Sequence, residues 1–373
     1  MSRTMTKLPL AHVEILRSLE DIYACERVYR RLYAVCGGNN PFRSWEWLQS
    51  WLEVYGGEID PAFICVHSEN ATVGIFPLYR GRFGGREERF LRFIGDQFVG
   101  SENLGPLVRP RDRQFAWIHM LRAVEKNIPD RSILFWDDAA AHDGTFSTLQ
   151  AVGQKLGVLS LWKRKNVCPL LRFRPLDFYP PEVQAHYRMA RRKMKALVKK
   201  FGPDLEILEN ETDLGRQLED FFALHQKLWR SREKPGSFTS PRKREFYRRI
   251  ASRFLRLGRL NFFTMRIGRR AVASYFGFTW GGTFYYLQSG FDPEWARYSV
   301  GTVLFYRTLQ TLRTRGVQEV DFLRGAERYK FLWGARPRFS YSIYVYPSGW
   351  QRLPFFVSRW LRWKMRAVME LLV

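Results

Sequence analysis

The spacing of apolar and polar positions changes repeatedly along the chain, and each change marks an element. Over residues 13–33 apolar and charged positions mix at helical spacing, and the pattern breaks before Gly37-Gly38. Pro41-Phe42 leads into a second helix, on which Trp47, Leu48, Trp51, Leu52 and Tyr55 share one face. Amphipathic burial makes that stripe core, and stacking on bases or sugars is its alternative use. Strands are predicted over 62–67, 72–79 and 89–94, the first two joined as a hairpin at Glu69-Asn70. Pro77 has no N–H for a ladder, so the second strand is expected at a sheet edge or bulge. A helix near 113–126, a strand at 133–136, a helix at 145–156 and a strand at 158–163 follow.

Pro175, Pro180 and Pro181 then punctuate a boundary. Beyond it comes a helix, EVQAHYRMARRKMKALVKKFG, and a short strand at 205–208. Thr212-Asp213 caps a helix over 214–230, SREKPGSFTSPRKR reads as a mobile loop, and a helix covers 244–257. Three antiparallel strands at 260–267, 271–280 and 283–288 are separated by short glycine turns. Leu304, Phe305, Leu309 and Leu312 give the next helix its apolar face, and Gly316 stops it before a strand at 319–323. The mixture predicts an α/β (α+β) chain with mixed sheets flanked by helices. At 373 residues there is room for two cores.

Charge sharpens this picture. Lys and Arg outnumber Asp and Glu by 61 to 36, a formal +25 that favours anionic partners: phosphorylated cofactors, nucleic acid or an anionic membrane. Arg188, Arg191, Arg192, Lys193, Lys195, Lys199 and Lys200 concentrate on the helix after Pro181, as a solvated face or as a contact for a polyanion such as tRNA. Cys25, Cys36, Cys65 and Cys168 are scattered, which argues against a disulfide framework or a metal site and suits a reducing cytoplasm. No run approaches ~18 uninterrupted apolar residues, and the N-terminus lacks the signature of a signal peptide.

Residues 297–302, Arg-Tyr-Ser-Val-Gly-Thr, put a glycine and an arginine at the mouth of a helix, where free N–H groups and the dipole favour phosphate. The phrases GRLNFFTMRIGRRAVASYFGF, FYYLQSGFDPEWARYSVGTVL and VDFLRGAERYKFLWGA, within 258–335, resemble the acetyltransferase-like domain of CelD-type polysaccharide-synthesis proteins. Those proteins sit in the GNAT superfamily, with the Fem-type peptidoglycan aminoacyltransferases as wider kin.

The resemblance implies two GNAT-like domains: a degenerate one at 1–175 and the acetyltransferase-like one at 176–346; the residues of the tail themselves predict a basic amphipathic helix at 347–373. It implies acyl-coenzyme A, acetyl-coenzyme A first, held between two parallel strands that splay apart, and no metal. Gln288, Arg297, Tyr298, Ser299, Val300, Gly301 and Thr302 fall in the cofactor-binding positions. Val300 and Thr302 depart from the glycine and small residue usual there. Tyr329 falls where family tyrosines act as the acid, and Lys330 resembles the lysine of the Fem-type Tyr/Phe-Lys-Phe region, beside phosphate or developing negative charge. Asp321 and Glu327 are candidate bases. His225, alone on an apolar helix, is a further candidate with a structural role as its alternative.

The implied function is acyl transfer from acyl-coenzyme A to an amine or hydroxyl of a cell-envelope or exopolysaccharide precursor. Alternatives are Fem-type aminoacyl transfer from charged tRNA and a non-catalytic scaffold in polysaccharide synthesis. Phe355, Phe356, Trp360 and Trp363 alternate with Arg352, Arg359, Arg362 and Lys364 in the tail. That pattern suggests a cytoplasmic protein with peripheral contact to an anionic inner membrane, or a tail packed on its own protein.

Overall fold

The computed structural model describes residues 11–69, 71–81, 90–96, 99–128, 132–140 and 144–346; the basic tail at 347–373 lies outside them. β1 (Ala11–Leu16) leads through α1 (Leu19–Ala24) and α2 (Glu26–Val35) to α3 (Trp45–Tyr55). β2 (Ile59–Ser68), β3 (Ala71–Gly81), β4 (Phe90–Phe93) and β5 (Leu107–Val108) come next. α4 (Arg113–Asn127), β6 (Ile133–Ala140), α5 (Thr145–Leu156) and β7 (Leu159–Val167) follow. The second half holds β8 (Leu170–Arg172), α6 (Pro181–Phe201), β9 (Leu205–Glu209), α7 (Leu214–Arg230) and α8 (Pro241–Arg256). It closes with β10 (Leu260–Ile267), β11 (Arg270–Trp280), β12 (Thr283–Phe291), α9 (Val300–Thr314), β13 (Glu319–Asp321), α10 (Arg328–Leu332) and β14 (Phe339–Tyr346).

These strands form two mixed sheets. One runs β1-β2-β3-β4-β6-β14-β7 with β5 also on β3, and the other runs β8-β13-β12-β11-β10-β9. The halves exchange strands: β8 pairs with β13 at the edge of the second sheet, while β14 enters the first between β6 and β7. The expected α/β class with two helix-flanked mixed sheets is what the chain builds. One continuous core also joins the halves, because α3 packs on α8. Trp47 is fully buried there, 5.0 Å from the Phe246 ring and 5.9 Å from that of Phe278. The aromatic stripe of α3 is core.

Three local expectations need correction. The helical spacing read over 13–33 conceals a strand: β1 pairs with β2 from Ala11↔Ser68 to Leu16↔Phe63, and its burial alternates. Helix begins only after Ser18, whose hydroxyl accepts from the Asp21 N–H.

Pro77 is not at an edge. β3 has β2 on one side, and on the other β5 up to Ile75 and β4 from Leu78. The Pro77 carbonyl accepts from the Ile94 N–H, so the missing donor falls where one partner gives way to the next.

The 231–240 stretch is pinned, not mobile. Gln226 donates to the Pro235 carbonyl (2.9 Å) and accepts from the Phe238 N–H (3.0 Å), and Phe238 is fully buried.

Candidate active site

β12 and β13 are the parallel neighbours of the second sheet, paired only at Thr283↔Glu319, Phe284↔Val320 and Tyr285↔Asp321. β12 continues to Phe291, but the chain beyond Asp321 turns away. Phe322 donates its N–H to the Pro169 carbonyl, and Leu323 takes φ +55. That left-handed conformation costs on the order of 1–3 kcal/mol for a non-glycine residue. Asp321 holds it by accepting the Leu323 N–H at Oδ1 (2.9 Å).

A second irregularity widens the opening. Gly277 pairs with Tyr286 and Phe276 with Gln288, so Leu287 is a bulge residue on β12. The backbone of β12 beyond Tyr285 therefore has no β13 partner and faces the gap. The expected splay is present.

The two faces of this opening differ. Phe221 of α7 stacks on Phe276, while Phe305 of α9 packs on Tyr275 and Tyr286. Consecutive strand residues point to opposite faces, so α7 and α9 lie on opposite sides of the sheet.

On the α9 side, a 3₁₀ turn over Pro293–Tyr298 ends at Ser299 with φ +55, and the helix begins at Val300. No side chain among the described residues caps that first turn. Lys193 of α6 donates to the Ser299 hydroxyl (2.5 Å), and Lys200 and Arg297 lie 4.9 and 4.8 Å from the Tyr298 ring centre. The basic helix thus runs beside the expected phosphate loop. Val300, in place of the usual glycine, is fully buried in the core with Val303 and Leu304, so its side chain does not fill the mouth. A β-carbon on Gly301 meets only ordinary contacts at 3.5 Å, from the Phe291 ring and the Tyr275 hydroxyl. Thr302 is half-buried in the same turn. Backbone donors, a left-handed turn and flanking cations fit a pyrophosphate.

Three phenols line the cleft beside this turn. Tyr275 donates to the Gly301 carbonyl (2.7 Å), its ring centre is 5.2 Å from that of Tyr286, and the Tyr329 hydroxyl is close enough to that of Tyr286 to influence its protonation. Tyr329 is 39% exposed as a residue; burial pushes its phenol up, opposed by the neighbouring Tyr286 hydroxyl. It stays protonated at neutral pH.

The remaining expected residues have other tasks. Asp321 has both carboxylate oxygens engaged, one by Leu323 and the other by Arg338 (2.5 Å). Lys330 is buried, and its ammonium donates to the carbonyls of Phe322 (3.1 Å), Arg324 (3.0 Å) and Gly325 (3.1 Å). It closes the turn after β13 rather than standing beside a phosphate. Glu327 is exposed and pairs with Lys330 at 2.9 Å.

His225 is fully buried. Nδ1 donates to the Ser289 carbonyl (2.8 Å) and Nε2 accepts from the Ser237 N–H (3.2 Å), which fixes the tautomer and leaves no free nitrogen. Burial pushes its pKa down to about 4. It holds α7 against β12, where a β-carbon on Gly290 would lie 2.4 Å from the His225 backbone nitrogen.

Gln288 falls on the α8 side, near Tyr247, whose hydroxyl donates to the Val99 carbonyl (3.3 Å). That side also holds Arg324, Asp138 and Lys243, which sequence reasoning did not single out. The Arg324 N–H donates to the buried Glu102, and the Arg324 guanidinium reaches Asp138 (3.3 Å) and the Ser101 carbonyl (3.1 Å). Burial pushes Glu102 up to about 8 against the pull of Arg324. Lys243, in the first turn of α8, is pushed down to about 8 by burial and then by Arg324. In sequence, Ser101, Glu102 and Asn103 are readable either as a pocket lining or as turn chemistry, and the Arg324 that meets Glu102 lies 222 residues away.

Residues 184–331 match the family model described as an acetyltransferase (GNAT) domain. The second half of the chain is therefore similar to GNAT domains. Among solved structures, FemX aligns at 10% identity over 89% of this chain and 97% of its own, with a TM-score of 0.59. A conserved protein of unknown function from Bacteroides thetaiotaomicron aligns at 13% identity over 90% and 100%, TM-score 0.53. The C-terminal domain of a putative lysylphosphatidylglycerol synthetase from Agrobacterium fabrum aligns at 10% over 87% and 91%, TM-score 0.51. Identities this low speak to the fold, and the alignments span both halves. No curated protein sequence matches the chain. The matched residues run from within α6 to within α10, so most of the basic helix, the splayed strands and the Lys330 turn fall inside the match. No helix among the described residues is long and apolar enough to cross a membrane.

Proposed function

We propose that this protein is an acyltransferase that takes its acyl group from acyl-coenzyme A, acetyl-coenzyme A first. The acceptor is an amine or hydroxyl of a cell-envelope or exopolysaccharide precursor. The observation that carries this reading is the gap between β12 and β13 opening beside the uncapped, lysine-flanked mouth of α9. The acceptor class rests on the resemblance of 258–335 to CelD-type proteins. Acyl-coenzyme A supplies an activated acyl group as its thioester.

The chain's own residues divide the remaining work. The first-turn amides of α9, Lys193 and Arg297 hold the pyrophosphate, and Ser299 orients Lys193. The unpaired β12 backbone next to Leu287 offers N–H groups to a developing oxyanion. Tyr329, with its raised pKa, donates a hydrogen bond to the departing sulfur rather than a whole proton. Lys243 titrates near working pH on the opposite face and serves as the base for an incoming amine or hydroxyl. Asp321, Lys330 and His225 position the strands and turns that carry these groups.

Titration calorimetry with acetyl-coenzyme A, followed by thiol release with amino-sugar and sugar acceptors, tests the reading. Absence of both binding and acceptor-dependent thiol release refutes it.

One observation favours a second reading, aminoacyl transfer from charged tRNA. Arg188, Arg191, Arg192, Lys195 and Lys199 are exposed on the same helix that reaches the α9 mouth. Filter binding of charged tRNA with steep salt dependence, resistant to heparin, supports it, and binding no better than to heparin removes it.

A further inference from the structure

The N-terminal end of α6 walls a hollow of about 360 Å³ between β8, the turn before α6 and the stretch that follows α10. Its construction starts in the backbone. Leu170 and Arg336 exchange hydrogen bonds of 2.8 and 2.9 Å, and Cys168 and Arg338 exchange bonds of 2.8 and 3.2 Å. Arg336 and Arg338 therefore stand two residues apart on one face of a short ladder. Gly334 takes φ +90, and a β-carbon there would meet the Tyr179 ring at 2.5 Å, so only glycine lets the chain close over that ring. Tyr179 is fixed in turn by donating to the Arg172 carbonyl (2.7 Å).

Charge in the hollow is unbalanced. None of the lining residues is acidic. Arg338 spends one nitrogen on Asp321, but its Nε is buried with no hydrogen-bond partner. Arg174 and Arg336 line the same hollow and have no ion-pair partner among the described residues. Apolar surface lies directly beside these cations: Phe178 is 68% exposed, and Phe331 and Tyr179 also line the walls. Guanidinium groups next to an aromatic shelf match a phosphate joined to a flat or apolar body.

We infer that this hollow is a second anion site, taking a phosphomonoester whose phosphate meets Arg174, Arg336 and Arg338 and whose ring rests on Phe178. It is separate from the mouth of α9. Val183 lines the hollow and Lys193 reaches Ser299, ten residues later on one helix, a distance of about 15 Å at the helical rise. The volume suits a molecule of nucleoside-monophosphate size, at the small end of ordinary ligand pockets.

The test is calorimetry on the full chain with uridine monophosphate, glucose 1-phosphate and inorganic phosphate in turn. A phosphomonoester binds at one site more tightly than inorganic phosphate, and Arg174→Ala with Arg336→Ala weakens it roughly tenfold or more. Phe178→Ala weakens the ester without changing inorganic phosphate, and Arg297→Ala changes neither. Preference for the nucleotide assigns the shelf to a base, and preference for the sugar phosphate assigns it to a sugar; either upholds the site. Three results overturn it: no binding, equal binding of phosphate and esters, or a loss in Arg297→Ala as large as in the double variant. Unchanged circular dichroism in each variant separates lost binding from lost folding.

Discussion

The Lys193 ammonium of α6 donates to the Ser299 hydroxyl at 2.5 Å, tying the basic helix to the one left-handed residue at the mouth of α9. The contact positions a cation over the first-turn amides before any ligand arrives. Lys193→Ala is therefore expected to leave the fold intact, since the side chain is exposed, and to weaken acetyl-coenzyme A binding roughly 3- to 10-fold. The difference should shrink as salt is raised, because an exposed cation is screened. Calorimetry at low and high ionic strength reads both effects.

His225 makes a pH-dependent contribution with a definite sign. Its folded pKa of about 4 lies below the ordinary 6.5, so the unfolded chain binds the extra proton between those values. Stability from this group is complete above about 6.5 and is lost as pH falls towards 4, by about 3 kcal/mol in all. His225→Ala leaves the Ser289 carbonyl and Ser237 N–H without their partner, and is expected to cost about 2–4 kcal/mol at pH 7. The penalty should narrow towards pH 4. Urea denaturation at pH 7, 5.5 and 4 measures this, and a constant penalty contradicts it.

Much of the GNAT-like half was legible because its signals are local. Glycine turns bound β10, β11 and β12, and Asp213 and Gly316 mark helix ends where they were expected. The splay followed from the family phrase and is present. What could not be read was long-range. Glu102 and Arg324 meet across a separation of 222 residues, and neither segment carries a pattern that announces the other. Lys330 and His225 were visible as residue types, but their tasks depend on carbonyls that only the folded turn and strand present. β8 and β14 were unreadable as exchanged strands, since a strand's own pattern does not say which sheet it joins.

Glu102 should destabilise the protein as pH rises. Its folded pKa of about 8 lies above the ordinary 4.5, so the folded state binds more protons between those values. Stability from this group is greatest below about 4.5 and declines as pH rises through 8. Glu102→Gln keeps an oxygen to accept the Arg324 N–H and removes the buried charge. The variant is expected to melt a few degrees higher than the parent at pH 9, with the gap closing by pH 5. Thermal melts across that range decide it. A variant less stable at pH 9 means that the Arg324 guanidinium outweighs the cost of burying the carboxylate.

Tyr329 separates binding from chemistry. The pyrophosphate is assigned to Lys193, Arg297 and the first-turn amides of α9, and the Tyr329 hydroxyl, close to that of Tyr286, is not among those groups. Removing the hydroxyl takes away one hydrogen bond to the departing sulfur, which is needed most as negative charge gathers there. Tyr329→Phe is therefore expected to lower kcat roughly 10- to 100-fold while leaving KM for acetyl-coenzyme A near its parent value. Because the phenol is pushed up by burial, the parent rate should show no loss from its ionisation up to pH 9. Steady-state thiol release over pH 6–9 measures both. A fall in affinity with kcat unchanged assigns Tyr329 to donor binding instead, and no change in either removes it from the reaction.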